Sequence, residues 1–150
     1  MVGSGPLGPL MRAVETISVP GTPPGVRQAI QAFEQFGRVH ALPRGSEWRL
    51  QLAIDEILSN IVRHGGADAP AQVDITFFLA DGFVAVEFVD SLAAFNPLLL
   101  PPPDTGSPLA EREPGGLGIA LVRQLMDETL YERRDDRNRF LVRCGLHADR

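Results

Sequence analysis

No lysine occurs anywhere in the 150-residue chain; all 14 basic residues are arginine. A P-loop, which sets a lysine against the β- and γ-phosphates of a nucleotide, is therefore excluded, as is chemistry through a lysine Schiff base. There is one cysteine, Cys144, so no intrachain disulfide forms and no thiolate cluster can hold zinc. Long apolar runs are missing too. The most hydrophobic stretch, ITFFLADGFVAVEFV, is broken by Asp81-Gly82 and carries Glu87, which rules out a bilayer span. The opening MVGSGPLGPLM has neither the charged leader nor the apolar core of a secretion signal. The expectation is a protein of the reducing cytoplasm with no membrane contact. A net charge of −5 gives no general electrostatic case for direct nucleic-acid binding.

What is present is the composition of an ordinary globular domain, 44% hydrophobic and 22% charged. The length suits one domain with a real core. We expect a loose Gly/Pro-rich lead-in over residues 1–11, a domain over 12–146 and a short tail over 147–150. Arg12 to Val19 alternates and reads as a strand. Pro20-Gly21-Thr22-Pro23-Pro24 breaks the chain, with Thr22 as N-cap of a helix over Val26 to His40 that aligns Val26, Ile30, Phe33 and Phe36. A longer helix runs from Ser46 to His64 and stops at Gly65-Gly66, with Leu50, Ile54, Ile57 and Ile61 as its apolar arc. Gln72–Leu79 and Phe83–Val89 flank Asp81-Gly82 as a hairpin.

Residues 97–114 carry six prolines and read as a long irregular loop, of a kind usually functional or disordered. A helix over Ile119 to Asp127 follows. Thr129–Arg133 and Phe140–Cys144 then form strands around a turn at Asp135-Asp136-Arg137-Asn138. This order is not an alternating βαβ. It predicts an α+β two-layer sandwich, three helices on one face of a mixed, mostly antiparallel sheet.

Three pieces could carry chemistry. Glu56 and Asn60 lie one helical turn apart, beside the apolar arc. Such a pair suits a hard cation and a base, but it is frequent on amphipathic helices, and spacing alone favours a solvated helix face. Asp90 stands where a buried strand runs out, placed to accept from a ligand amine or to close an Asx-turn. Gly115-Gly116-Leu117-Gly118 opens a helix with backbone N–H groups free for an anion, or serves only as a joint.

In order and spacing, Glu56-x-x-x-Asn60, then Asp90, then Gly115-Gly116-Leu117-Gly118 resemble the N box and the two glycine boxes of the GHKL ATPase superfamily, with its Bergerat (histidine-kinase-like ATPase) fold. DEILSNIVRHG, AFNP, EREPGGLGIALVRQLMDE and YERRDDRN are further similar to the bacterial anti-sigma factor serine/threonine kinases, from about Arg12 to Leu146. The resemblance implies an ATP-binding domain in which Asn60 ligates Mg²⁺ and Glu56 is the general base. It also implies that Asp90 accepts the adenine amine beside Phe95, and that Gly115, Gly116, Leu117 and Gly118 wrap the phosphates under a lid at 98–114. The implied partners are a STAS-domain anti-anti-sigma protein that is phosphorylated, a sigma factor that is sequestered, and a second copy in a homodimer.

One position departs from that pattern. Leu92 replaces the glycine two residues after Asp90, where a side chain would crowd the base or force another turn. The alternative reading is thus a catalytically weak or inactive binding module that works by contact alone. The ATP-binding half of a histidine kinase is a third reading. It lacks a helix pair carrying a phosphoacceptor histidine, and His40, His64 and His147 stand in unsuitable contexts.

Overall fold

The computed structural model describes residues 11–65, 71–99 and 116–147. The lead-in before Met11, nearly all of the expected lid together with Gly115, and the tail beyond His147 lie outside them. Five strands and three helices follow the expected order: β1 (Arg12–Pro20), α1 (Pro23–Val39), α2 (Arg44–Gly65), β2 (Gln72–Ala80), β3 (Phe83–Asp90), α3 (Gly116–Leu125), β4 (Glu128–Arg134) and β5 (Arg137–Gly145). Among the described residues a 3₁₀ turn at Pro97–Leu99 lies between β3 and α3. The sheet order is β1-β2-β3-β5-β4, and every pairing is antiparallel, with no parallel component among the described strands.

Period-two alternation turns Val73, Ile75, Phe77, Val84, Val86, Phe88, Phe140, Val142 and Cys144 toward the helices. There they meet Phe33 and Phe36 of α1 and Leu50, Ala53, Ile54 and Leu58 of α2, all almost fully buried. Phe33 meets Phe77 edge to face at 5.3 Å, which ties α1 to the middle of the sheet. Burial pushes the Cys144 thiol above its usual range, against an opposing pull from Arg49, so the single cysteine is a core residue and not a nucleophile.

Several boundaries differ from the sequence reading, and three of the differences have a clear local cause or consequence. Helix α1 begins at Pro23, three residues early, because prolines fit a first turn whose N–H groups need no intrahelical partner; Thr22 Oγ1 caps it by accepting from Gly25 N at 3.3 Å. Helix α3 begins at Gly116, so Gly116, Leu117 and Gly118 form its first turn. The last hairpin turns within two residues, Asp135 (φ 54°) and Asp136 (φ 59°), and Asn138 is therefore a strand residue. Paired left-handed residues match the twist of the flanking strands, which a wider four-residue turn does not.

Left-handed backbone is costly for aspartate and easy for Asn-Gly. Replacing Asp135-Asp136 by Asn-Gly should raise the unfolding free energy by about 1 kcal/mol in urea titrations. An unchanged midpoint would mean that the turn carries no strain.

Candidate functional site

Helix α2 crosses the sheet so that Asn60 faces the end of β3, where Asp90 is the final strand residue. Both side chains are buried, at 3% and 5% exposure, and with Asn138 at 6% they are three of the four buried polar residues among those described. They line one cavity of about 190 Å³. Its walls are Ile57 and Ile61 of α2, Phe140 of β5, Pro97, and the loop residues Leu92 to Phe95. A mostly apolar slot with a few convergent polar groups is the usual form of a small-molecule site.

The Asp90 carboxylate performs the Asx-turn role. Its Oδ1 accepts from Leu92 N at 3.0 Å and from Asn138 Nδ2 at 2.9 Å. Asn60 Oδ1 has a contact with Arg63 Nη2 at 3.5 Å, the outer limit of a hydrogen bond, so its carbonyl is only weakly engaged within the described chain. A carboxylate and a carboxamide thus face the same space.

Glu56, one turn before Asn60, is half-buried and lies apart from that cavity. A Cβ on Gly118 would sit 2.0 Å from Glu56 Oε2, so the carboxylate rests directly on the first turn of α3 and only a glycine there allows it. The positive end of a helix favours a carboxylate in that position. Gly118 is therefore adjacent to Glu56, and Gly116 and Leu117 precede it in the same turn. Gly115 lies outside the described residues.

Leu92 forces no unusual turn. The non-glycine residues with positive φ among those described are Ala41, Asp135 and Asp136. The Leu92 methyl carbons lie 3.6 and 3.8 Å from where a Cβ on Gly65 would stand, so the side chain covers the end of α2. The cavity persists with Leu92 in its wall.

Sequence reasoning missed three contributors. Asn138, expected in a turn, pairs with Asp90 across the ladder and reaches into the loop. Tyr131 of β4 donates its hydroxyl to Asn138 Oδ1. The ring of His64 stacks on Phe95 with centroids 3.9 Å apart, bringing Phe95 against the end of α2. One signal was available for Asn138: it stands in phase with the buried Phe140, Val142 and Cys144.

The Glu56–Gly118 approach can be read by a double-mutant cycle. In an E56A background, G118A should stabilise the fold by about 1 kcal/mol through helix propensity, and in the native background by clearly less, because the new methyl displaces the carboxylate. Equal effects in urea denaturation would show that the two residues do not meet.

The histidine kinase-like ATPase domain matches residues 19–143. Over 90 residues the chain is 34% identical to serine/threonine-protein kinase BtrW of Bordetella bronchiseptica, a stretch covering 59% of this chain and 63% of that one, so it spans less than two thirds of this relative. A structure of the RsbU and RsbW domains of Rv1364c from Mycobacterium tuberculosis superposes with a TM-score of 0.63 at 15% identity, over 89% of this chain and 33% of that one. The SiaB–SiaC complex from Pseudomonas aeruginosa gives 0.53 at 16% identity, over 90% and 91%. At such identities the two structures share the fold alone. With the domain match spanning most of its length, the chain belongs to the histidine kinase-like ATPase domain family.

Proposed function

We propose that the protein is an ATP-dependent serine/threonine protein kinase of the anti-sigma type. In this reading it phosphorylates a STAS-domain anti-anti-sigma partner and alternately sequesters a sigma factor. The observation that carries the reading is the buried Asp90 carboxylate and the buried Asn60 carboxamide facing one apolar-walled cavity. The residues present fit a nucleotide. About 190 Å³ is less than the ~300–1,000 Å³ of a typical ligand pocket, which suits a flat base inside and phosphates at the mouth.

Asp90 is the acceptor for the adenine amine, with Phe95 beside it. Asn60 Oδ1 is the ligand for Mg²⁺, whose charge, when bound, offsets that of the phosphates. The first turn of α3, with Gly116, Leu117 and Gly118, offers backbone N–H groups to the phosphates, and Gly115, outside the described residues, is assigned to the same cradle from the sequence pattern. Glu56 lies against that turn and is the general base for the incoming hydroxyl. None of these roles needs a lysine.

Homodimerisation is supported by the sheet face turned away from the helices. Phe78, Phe83, Leu130 and Leu141 surround the buried Met11 and Ala85 there. Among the described residues no helix is long and apolar enough to cross a membrane.

The rival reading, a module that acts by contact alone, is favoured by Asp90 Oδ1, which already accepts two hydrogen bonds within the chain. Transfer of the γ-phosphate to a STAS partner separates the two. The kinase reading predicts transfer by the native protein and a loss of about 10²-fold or more in E56Q. Undiminished transfer by E56Q removes Glu56 as the base, and no transfer by native protein that still binds the partner favours the contact module.

A further inference from the structure

The loop after β3 has little packing to hold it. Ser91, Ala93 and Ala94 are exposed, and Leu92 and Phe95 are only partly buried. It has no regular secondary structure before Pro97. Beside the Asx-turn of Asp90 and the His64–Phe95 stack, its polar groups converge on one buried amide. Asn138 Nδ2 donates to Asp90 Oδ1 at 2.9 Å, to Ala93 O at 3.0 Å and, more weakly, to Leu92 O at 3.4 Å. Asn138 Oδ1 accepts from Phe95 N at 3.2 Å and from the Tyr131 hydroxyl.

The donor side of the amide meets three acceptors and the acceptor side meets two donors. The reverse orientation would set oxygen against oxygen on one side and N–H against N–H and O–H on the other, so the assignment is fixed by its partners. Arg133 Nη1 adds a second clamp on Leu92 O at 2.7 Å, although that contact is exposed.

We propose that Asn138 is the positioning residue of the loop after β3: its amide, and not a glycine within the loop, sets the path of residues 91–95 and holds Asp90 in the cavity. The proposal rests on the reading that Asp90 serves a nucleotide base, and it explains how the chain carries Leu92 where that family pattern has glycine. With the loop suspended from β5 by hydrogen bonds, no residue in it needs left-handed backbone, and Leu92 has none. Tyr131 acts through Asn138, holding its Oδ1 from the neighbouring strand. A side chain of similar size without the amide loses every one of these bonds, leaving Phe95 N and one side of Asp90 Oδ1 unpartnered.

The test uses the full chain with N138L, a second variant N138A in case the first folds poorly, and V142A as a control that weakens the same strand from the helix side. Amide hydrogen exchange at Leu92 and Phe95 is read first, since it needs no ligand. Both amides should exchange about tenfold faster in N138L or N138A than in V142A of matched global stability. Adenosine and inorganic triphosphate are then titrated separately. Loss of Asn138 should weaken adenosine about tenfold while triphosphate affinity stays unchanged, a split that general destabilisation does not produce.

Exchange rates equal to those of V142A would overturn the proposal, as would equal losses for adenosine and triphosphate. Faster exchange in a protein whose native form binds no adenosine would support Asn138 as the residue that sets the loop and reject the base-binding role of Asp90.

Discussion

At the end of β3 a carboxylate and an amide meet inside the protein, and the geometry of the cavity depends on that meeting. Burying a charge or an amide without partners is costly, so Asp90 and Asn138 are tolerable there because each satisfies the other. Their positions are not adjustable one at a time. Asp90 is opposite Asn138 in the β3–β5 ladder, and slipping either strand by one residue would send one side chain to the other face. The hydrophobic register that buries Phe88 against Phe140 therefore also places the polar pair. From it hang the loop of residues 91–95 and, through the His64–Phe95 stack, the end of α2.

Helix α2 contributes the other half of the site by a similar economy. Its apolar arc of Leu50, Ile54, Ile57 and Leu58 docks on the sheet, and this rotation carries Asn60 inward while Glu56 emerges at the edge. The first turn of α3 closes on that edge, close enough that Gly118 admits no side chain beside the carboxylate. The Asp90 carboxylate and the Asn60 carboxamide thus face an apolar slot, and one turn back along α2 a helix N-terminus rests on Glu56. That arrangement suits an anionic ligand with a flat apolar head, held without a lysine.

Most of the architecture was legible in the sequence. Alternation in 72–79 and 83–89, the Thr22 cap and the apolar arc of α2 fix the elements to within a few residues, because each follows from local periodicity or turn chemistry. The grouping of Asn60 with Asp90 was legible only through resemblance, since spacing alone left Asn60 on a solvated helix face and Asp90 open between a ligand contact and an Asx-turn. Asn138 was hidden by its neighbours: Asp135, Asp136 and Arg137 form a polar run that reads as a four-residue turn. Two left-handed aspartates shorten that turn and return the asparagine to the sheet. The effect of Leu92 was equally out of reach, because it depends on a partner 46 residues away.

The central claim is that this cavity takes a magnesium nucleotide, with Asn60 as the residue that couples metal to phosphates. Calorimetric titration of the native protein and of N60A with ATP, each with and without Mg²⁺, addresses it most directly. The account predicts native binding that strengthens when Mg²⁺ is present and an N60A protein in which that strengthening is lost. Binding by native protein and N60A that responds equally to Mg²⁺, or no binding of ATP at all, would contradict it.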